Sequence, residues 1–207
     1  MQNIGYITLN LSLVIYIVHF LPQTIHNQFK HTTINISLWT HTLMIIANSL
    51  DLVYAVGFGL EWQYILVDVI LISFLLIQQL QIFNDRKSKF VIFHTLFVSL
   101  FLLLVVLLIS STTISQNGLL LLGSFSGVIY NIYWLPQIYK NYKQKNAEGF
   151  SIYFLGLSLI SVLCDISSAV CLDWPLISVI TSLGLSLLVS IQLIQYFFYK
   201  KINFILK

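Results

Sequence analysis

Seven long apolar runs, separated by short polar breaks, make up most of the chain. Each run is close to the ~20 apolar residues that a helix needs to cross a bilayer. None has the ~10-residue length and strict alternation that are typical of outer-membrane strands. The pattern predicts seven transmembrane helices, called spans 1 to 7, over residues 5–26, 38–58, 62–83, 90–111, 118–140, 150–172 and 175–198.

The composition supports a membrane protein. Of the 207 residues 58% are hydrophobic and 8% are charged, and the mean hydropathy is +0.90. A soluble domain has roughly a quarter of its residues charged, so soluble enzymes and disordered chains are excluded. The basic residues lie in short clusters between the runs, and this distribution argues against a nucleic-acid partner.

The ten basic residues also predict an orientation. All of them fall in the loops after the odd-numbered spans, whereas Glu61 and Asp173 lie in the opposite loops. By the positive-inside rule, the N-terminus is expected outside or in a lumen, and the C-terminus in the cytoplasm. The predicted location is a bacterial inner membrane or a lysosomal or vacuolar membrane.

The chain contains an internal repeat. A shift of 114 positions aligns residues 12–83 with 126–197 without a gap. Apolar residues often match by chance in so hydrophobic a chain, whereas polar residues seldom do. The matched residues include Ser12/Ser126, Tyr16/Tyr130, Pro22/Pro136, Gln23/Gln137, Asn27/Asn141, Ser37/Ser151, Asp51/Asp165, Gln78/Gln192 and Gln81/Gln195.

This repeat predicts the fold class. We expect an all-α integral membrane protein with two parallel-oriented three-helix repeats joined by a linker helix, a 3+1+3 arrangement. Its units are residues 1–83, the linker 84–117 and residues 118–207. Two such bundles are related by a pseudo-twofold axis along the membrane normal, and transporters bind substrate in the cavity between them. A monomer is expected to be functional.

Two motifs carry a family resemblance. Leu21-Pro22-Gln23 and Leu135-Pro136-Gln137 each end an odd-numbered span and precede a basic loop. The second continues through Asn141 and Lys143 to Glu148-Gly149-Phe150-Ser151. This arrangement resembles the PQ-loop family and covers nearly the whole chain. The first copy has Asn35-Ile36-Ser37 in place of the Gly-x-Ser element.

The resemblance implies a fold related to the sugar-carrying SWEETs, with cystinosin-like members that move amino acids together with protons. The acidic residue that cystinosin-like proteins carry in the sixth span falls at Ser158 when it is counted from Gly149. This chain has Asp165, two turns further along the helix.

The repeated Pro-Gln pairs are candidates for a gate. A proline near the end of a span removes a backbone hydrogen bond and permits bending. Pro22 and Pro136 are predicted hinges, and the alternative is a fixed kink. Gln23 and Gln137 are predicted to bind the freed carbonyls or to hold the gate, and the alternative is an interfacial amide.

Three acids inside the spans are candidates for proton coupling. Asp51, Asp165 and Asp68 lie at a shared level, about 10 Å below the outer boundary at ~1.5 Å per residue. No Lys or Arg occurs in a span to pair with them, so each must face water, accept hydrogen bonds or keep its proton. The alternative is a carboxyl that only joins neighbouring helices.

Other polar residues within the spans are predicted to line a solute path, although each could instead join helices. The five histidines are scattered and lack the spacing of a metal site, so neither a metal nor a cofactor is predicted. The candidates for the solute path are Tyr16, Tyr130, Asn48, Asn131, Ser158, Ser161, Gln78, Gln192 and His41.

The sequence therefore predicts a transporter rather than an enzyme. The expected activity is alternating access for a small polar solute, an amino acid or derivative, coupled to protons and directed toward the cytoplasm. The nearest alternative is a SWEET-like sugar uniporter. A retrieval receptor like the KDEL receptor is disfavoured because a peptide carboxylate calls for cationic residues in the spans.

Overall fold

The computed structural model describes residues 2–30, 32–110, 114–174 and 176–205. One of the five histidines, His31, the first residue of predicted span 7, Pro175, and one of the ten basic residues, Lys207, lie outside them. Across these segments the secondary structure is helical, with a short 3₁₀ turn at Thr32–Asn35. The α-helices are α1 (Gln2–Lys30), α2 (Leu38–Phe58), α3 (Trp62–Arg86), α4 (Lys89–Ser110), α5 (Gln116–Tyr130), α6 (Leu135–Gln144), α7 (Ile152–Cys171) and α8 (Leu176–Ile205).

Seven segments of the described chain are long and apolar enough to cross a membrane, which confirms the predicted number of spans. Span 5 consists of α5 and α6, and together they form the segment Gln116–Gln144. The first span is longer than expected, since it extends over Gln2–Lys30.

Local sequence signals set several helix ends. Ser37 precedes α2, and its hydroxyl accepts a hydrogen bond from the Thr40 backbone N–H. Ser115 does the same for Gly118 at the start of α5. Gly59 ends α2 with a φ of 64°, a left-handed conformation that glycine adopts without strain. These caps keep the breaks between spans short.

The helix contacts follow the sequence repeat. The first span, α1, packs against α3 and α7, while α2 packs against α3, α4 and α5. A shift of 114 residues converts the α1–α7 contact into the contact between α5 and α2. Helix α4, which has no equivalent in the repeat, touches α2 and α3. The two repeats therefore contact each other through equivalent pairs of helices.

The basic residues that the structure describes gather at one end of the bundle, called here the Lys-rich end, and the opposite end is called the Lys-poor end. Arg86 donates hydrogen bonds to the carbonyls of Thr33 and Ile36, the latter at 2.6 Å. Lys140 Nζ donates to the Ile34 carbonyl at 2.7 Å. These cations hold the chain between α1 and α2 against the ends of α3 and α6.

The two repeated prolines differ in their local structure. Pro22 lies inside the unbroken helix α1, whereas Pro136 lies in the first turn of α6, after an interruption at 131–134. In that interruption some backbone hydrogen bonds join residues three apart instead of four, as when the Ile132 N–H donates to the Ile129 carbonyl at 3.0 Å. Residues matched in sequence therefore sit in a continuous helix in one repeat and beside a helix break in the other.

Candidate functional site

A cavity of about 260 Å³ lies where helices of the two repeats face each other. It extends from Gln63, Leu120 and Trp174 near the Lys-poor end to Phe20 and Trp134 deeper in the bundle. Residues of α1, α2, α3, α5, α7 and α8 contribute to its wall. The three acids predicted from the sequence all line it.

Asp165 of α7 is held by two hydroxyl groups of α1. Ser12 Oγ donates to Oδ1 at 2.5 Å, and the Tyr16 hydroxyl donates to Oδ2 at 2.5 Å. Both donors come from the other sequence repeat. The carboxyl therefore joins the repeats and also lines the cavity.

Asp51 of α2 is held in the matching way. Ser126 Oγ donates to Oδ1 at 3.1 Å, and the Tyr130 hydroxyl lies 3.5 Å from Oδ2. Ser126 and Tyr130 are the repeat partners of Ser12 and Tyr16. Asp51 also accepts a hydrogen bond of 2.7 Å from the Tyr64 hydroxyl of α3.

Asp68 differs from the other two acids. It lies on α3 with only 3% of its surface exposed, and its Oδ2 has no hydrogen-bond partner. Its carboxyl interacts electrostatically with that of Asp51. No Lys or Arg side chain lines the cavity in the described part of the chain. In that part of the chain the lining combines three carboxyls with one histidine, His19.

Five of the predicted solute-path residues line this cavity, namely Tyr16, Tyr130, Asn48, Ser158 and Ser161. The Tyr130 hydroxyl donates to Asn48 Oδ1 at 3.2 Å, which connects Asn48 to the Asp51 site. Ser158 and Ser161 donate to carbonyls of their own helix, so they offer mainly oxygen lone pairs to the cavity.

The other four candidates lie outside the cavity lining. Asn131 bonds the Gly127 carbonyl at 2.9 Å and packs against Gly184. His41 bonds Gln78 at 3.1 Å between α2 and α3. Gln192 accepts a bond of 2.8 Å from Asn141 Nδ2. The rotation of the helices turns these four positions toward neighbouring helices and away from the cavity.

Gln137 joins the two repeats at the Lys-rich end. Its side chain is fully buried, its Oε1 accepts from Ser37 N–H at 2.6 Å, and its Nε2 donates to the Asn35 carbonyl at 3.1 Å. Nε2 also donates to Asn141 Oδ1 at 2.8 Å. The amide thereby fixes the start of α2 to α6.

Gln23 makes the same contacts in the other direction. Oε1 accepts from Ser151 N–H at 2.7 Å, while Nε2 donates to the Gly149 carbonyl at 3.1 Å and to Asn27 Oδ1 at 2.8 Å. Every partner is the repeat equivalent of a Gln137 partner. We call these two sets of bonds the glutamine clamps.

Gly149 brings the two clamps together. A Cβ atom at this position would lie 2.7 Å from the Asn35 carbonyl oxygen, a backbone atom that has little room to move. Asn35 is the repeat equivalent of Gly149, so the two loops touch at the point where the repeats meet. Only glycine allows this approach without displacing the backbone.

Aromatic rings separate the cavity from the clamps. Trp134, Phe150 and Phe154 are almost fully buried, and the ring centroids of Trp134 and Phe150 are 5.1 Å apart. His19 stacks on Phe154 with centroids 5.2 Å apart and bonds the Tyr16 carbonyl. This layer lies between the acids and the Lys-rich end.

Sequence reasoning did not single out Ser12, Ser126 and Tyr64 as partners of the acids. The first two carry a detectable signal, because both are matched in the repeat in register with the aspartates. Tyr64 has no such signal, since Ser178 occupies its equivalent position. Within the described residues, no three His, Cys, Asp or Glu side chains group as a metal site.

Comparison with known families gives one result. The model of the PQ loop repeat matches the chain twice, over residues 4–64 and 118–178, together more than half of its length. The second match begins and ends 114 residues after the first, the same offset as the internal repeat. No curated protein matches the chain.

Proposed function

The chain belongs to the PQ-loop repeat family, and on that premise we propose that it is a carrier that moves a small polar solute across a membrane by alternating access. Members of this family are membrane transporters or receptors rather than enzymes. One observation carries the proposal: a cavity between the repeats has acids on its wall, and the glutamine clamps join the repeats on its Lys-rich side.

The proposed arrangement is 3+1+3. Spans 1–3 form one half, spans 5–7 form the other, and α4 is the linker. The equivalent contacts of α1 with α7 and of α5 with α2 support a pseudo-twofold axis between the halves. Each half would move as a unit around the cavity, with Pro22 and Pro136 as the places where the backbone bends.

The glutamine clamps support a gate at the Lys-rich end. Each clamp fixes the residue just before a helix of one half to a span of the other half, so the halves cannot separate there while both clamps hold. Alternating access requires these bonds to break as the opposite end closes. Their breaking and re-forming would be the inner gating step.

Proton coupling is proposed at Asp51 and Asp165, with Asp68 as a third candidate. An ionised carboxyl in a dry span is costly, and Asp51 and Asp165 accept hydrogen bonds from hydroxyls while no Lys or Arg of the described residues lines the cavity beside them. A proton taken up from the Lys-poor side neutralises the acid before the cavity closes. Its release toward the Lys-rich side would complete a cycle that drives solute inward.

The test is proton movement driven by solute. Purified protein in liposomes with a trapped pH-sensitive dye is exposed to a panel of amino acids, amines and sugars. We expect one class of solute to enter and to acidify the lumen. Uptake of sugars without a pH change would favour the uniporter, and no flux of any panel solute would overturn the carrier.

The orientation proposed is N-terminus outside or lumenal and C-terminus cytoplasmic. Cys171, a half-exposed native thiol at the Lys-poor end of α7, reports on it. In intact bacteria that express a Cys164→Ser variant, a membrane-impermeant maleimide is expected to label Cys171.

A matched reporter lies at the other end of the protein. Lys143 is exposed on α6 at the Lys-rich end. In a background without native cysteines, Lys143→Cys is expected to react only after the cells are permeabilised. The reverse labelling pattern of the two positions would contradict the orientation.

A further inference from the structure

The two acid sites share a symmetric part and differ in the rest. Asp51 and Asp165 have equivalent serine and tyrosine donors from the other repeat. The Asp51 site has three further polar groups near it, Asn48, Tyr64 and Asp68. Their repeat equivalents are Val162, Ser178 and Ser182. The amide, the phenol and the second carboxyl of the Asp51 site are thus replaced at the Asp165 site by one apolar side chain and two small hydroxyls.

Asp68 is the unusual member of this group. Its side chain is almost entirely buried and lines the cavity, yet Oδ2 has no partner. A buried acceptor that is left unpaired costs free energy, and native proteins seldom leave one without a reason. A hydrogen-bond donor supplied by a bound solute would satisfy it.

The charge around the site selects the kind of donor. Three carboxyls line the cavity, and no Lys or Arg of the described residues accompanies them there. An ammonium group offers three donors and no acceptor, and its charge complements the carboxyls. A solute carboxylate would find repulsion instead, because no Lys or Arg of the described lining could pair with it, and His19, deeper in the cavity, is stacked on Phe154 and bonded to the Tyr16 carbonyl.

The walls near the first acid site suit a cation that has an apolar body. The Tyr64 and Trp174 rings meet edge-on at the Lys-poor side, with centroids 6.0 Å apart. Both rings line the cavity. Aromatic faces attract desolvated cations, and the apolar side chains of the lining can pack against the hydrocarbon part of a solute.

We propose that the solute is an organic amine without a carboxylate, whose ammonium group binds between Asp51 and Asp68, while Asp165 remains to carry the proton. This inference rests on the proposed carrier function and names its substrate class. Asp165, whose site has Ser182 in place of a second carboxyl, serves coupling, and the Asp51 site with the unpaired oxygen of Asp68 serves recognition.

The test compares amines with the amino acids that differ from them by one carboxylate. Thermal shift and calorimetric titration of the purified protein use three pairs: tyramine with tyrosine, agmatine with arginine, and cadaverine with lysine. At least one amine is expected to bind, and to bind about tenfold or more tightly than its amino acid, since the latter brings an unpaired carboxylate into the cavity.

Asp68→Asn is the diagnostic variant, because it keeps the size of the side chain but removes the charge. It should weaken binding of that amine by about tenfold or more. Glu61→Gln, an exposed acid just before α3, is the charge-matched control and should bind like the wild type. The unliganded melting temperature of each variant shows whether it is folded.

The outcomes separate this inference from the carrier function. Tighter binding of an amino acid than of its amine, unchanged binding in Asp68→Asn, or no binding by any of the three amines would overturn the amine site. Solute-driven proton flux in liposomes could still be observed in each case, so the carrier proposal stands or falls by its own experiment.

Discussion

Replacement of Asp165 by asparagine is expected to abolish the dependence of solute uptake on a pH gradient. Asparagine has the shape of aspartate but cannot exchange a proton in the physiological range. One of the two hydroxyls that now donate to the carboxyl, Ser12 or Tyr16, would face an amide N–H₂ group instead. Binding of the solute should remain, because its proposed site lies at Asp51 and Asp68.

The size of this effect follows from the gradient. With one proton per solute, each pH unit across the membrane drives roughly tenfold accumulation. In proteoliposomes with an acidic exterior, the wild type should therefore concentrate the solute, and Asp165→Asn should only equilibrate it. Asp173→Asn is the control, since this acid is exposed at the Lys-poor end. A variant at Asp165 that still concentrates solute would exclude this residue as the proton carrier.

The second large effect is expected from the glutamine clamps. Gln137→Ala removes the acceptor of Ser37 N–H and the donor to the Asn35 carbonyl in a fully buried place. A buried polar group left unpaired costs roughly 1–3 kcal/mol. The melting temperature should fall, and the Lys-rich end should open more often. Gln23→Ala should have the same effect through Ser151 and Gly149.

Opening can be measured with a thiol in the cavity. Ser158 is buried and lines the cavity, so a Ser158→Cys reporter should react slowly with a reagent applied from the Lys-rich side. The clamp variants should raise this rate, and the double variant should differ from the sum of the single ones because the clamps meet at Gly149. Gln144→Ala, exposed on the same end, is the control. Equal rates in all variants would mean that the clamps do not hold the gate.

The repeat explains why much of the site was visible in the sequence. Asp51 and Asp165 were found because a charged residue is conspicuous in an apolar span, and the shift of 114 showed that they are equivalent. The same shift pairs Ser12 with Ser126 and Tyr16 with Tyr130, the donors that the structure places on these acids. For these residues, positions that match in the sequence repeat also make matching contacts in the structure.

Other assignments needed the packed helices. Asn48 and Asn131 are both amides within spans, and either could face the gap. The structure places Asn48 on the cavity and Asn131 against Gly184. The rotation of each helix about its own axis decides which of the two amides faces the cavity. A period of 3.6 residues defines the faces of a helix but not which neighbour each face meets when every face is apolar.

The sequence by itself determined the seven spans, the repeat and the family, because helix length, hydropathy and matched polar residues are properties of neighbours along the chain. Only the tertiary structure decided that Gln137 bonds the start of α2, that Tyr64 reaches Asp51 and that one oxygen of Asp68 is unpaired. Such contacts depend on how the helices are rotated and packed against each other. The hydrophobic pattern does not determine that rotation, because the lipid-facing and the buried faces of a transmembrane helix are both apolar.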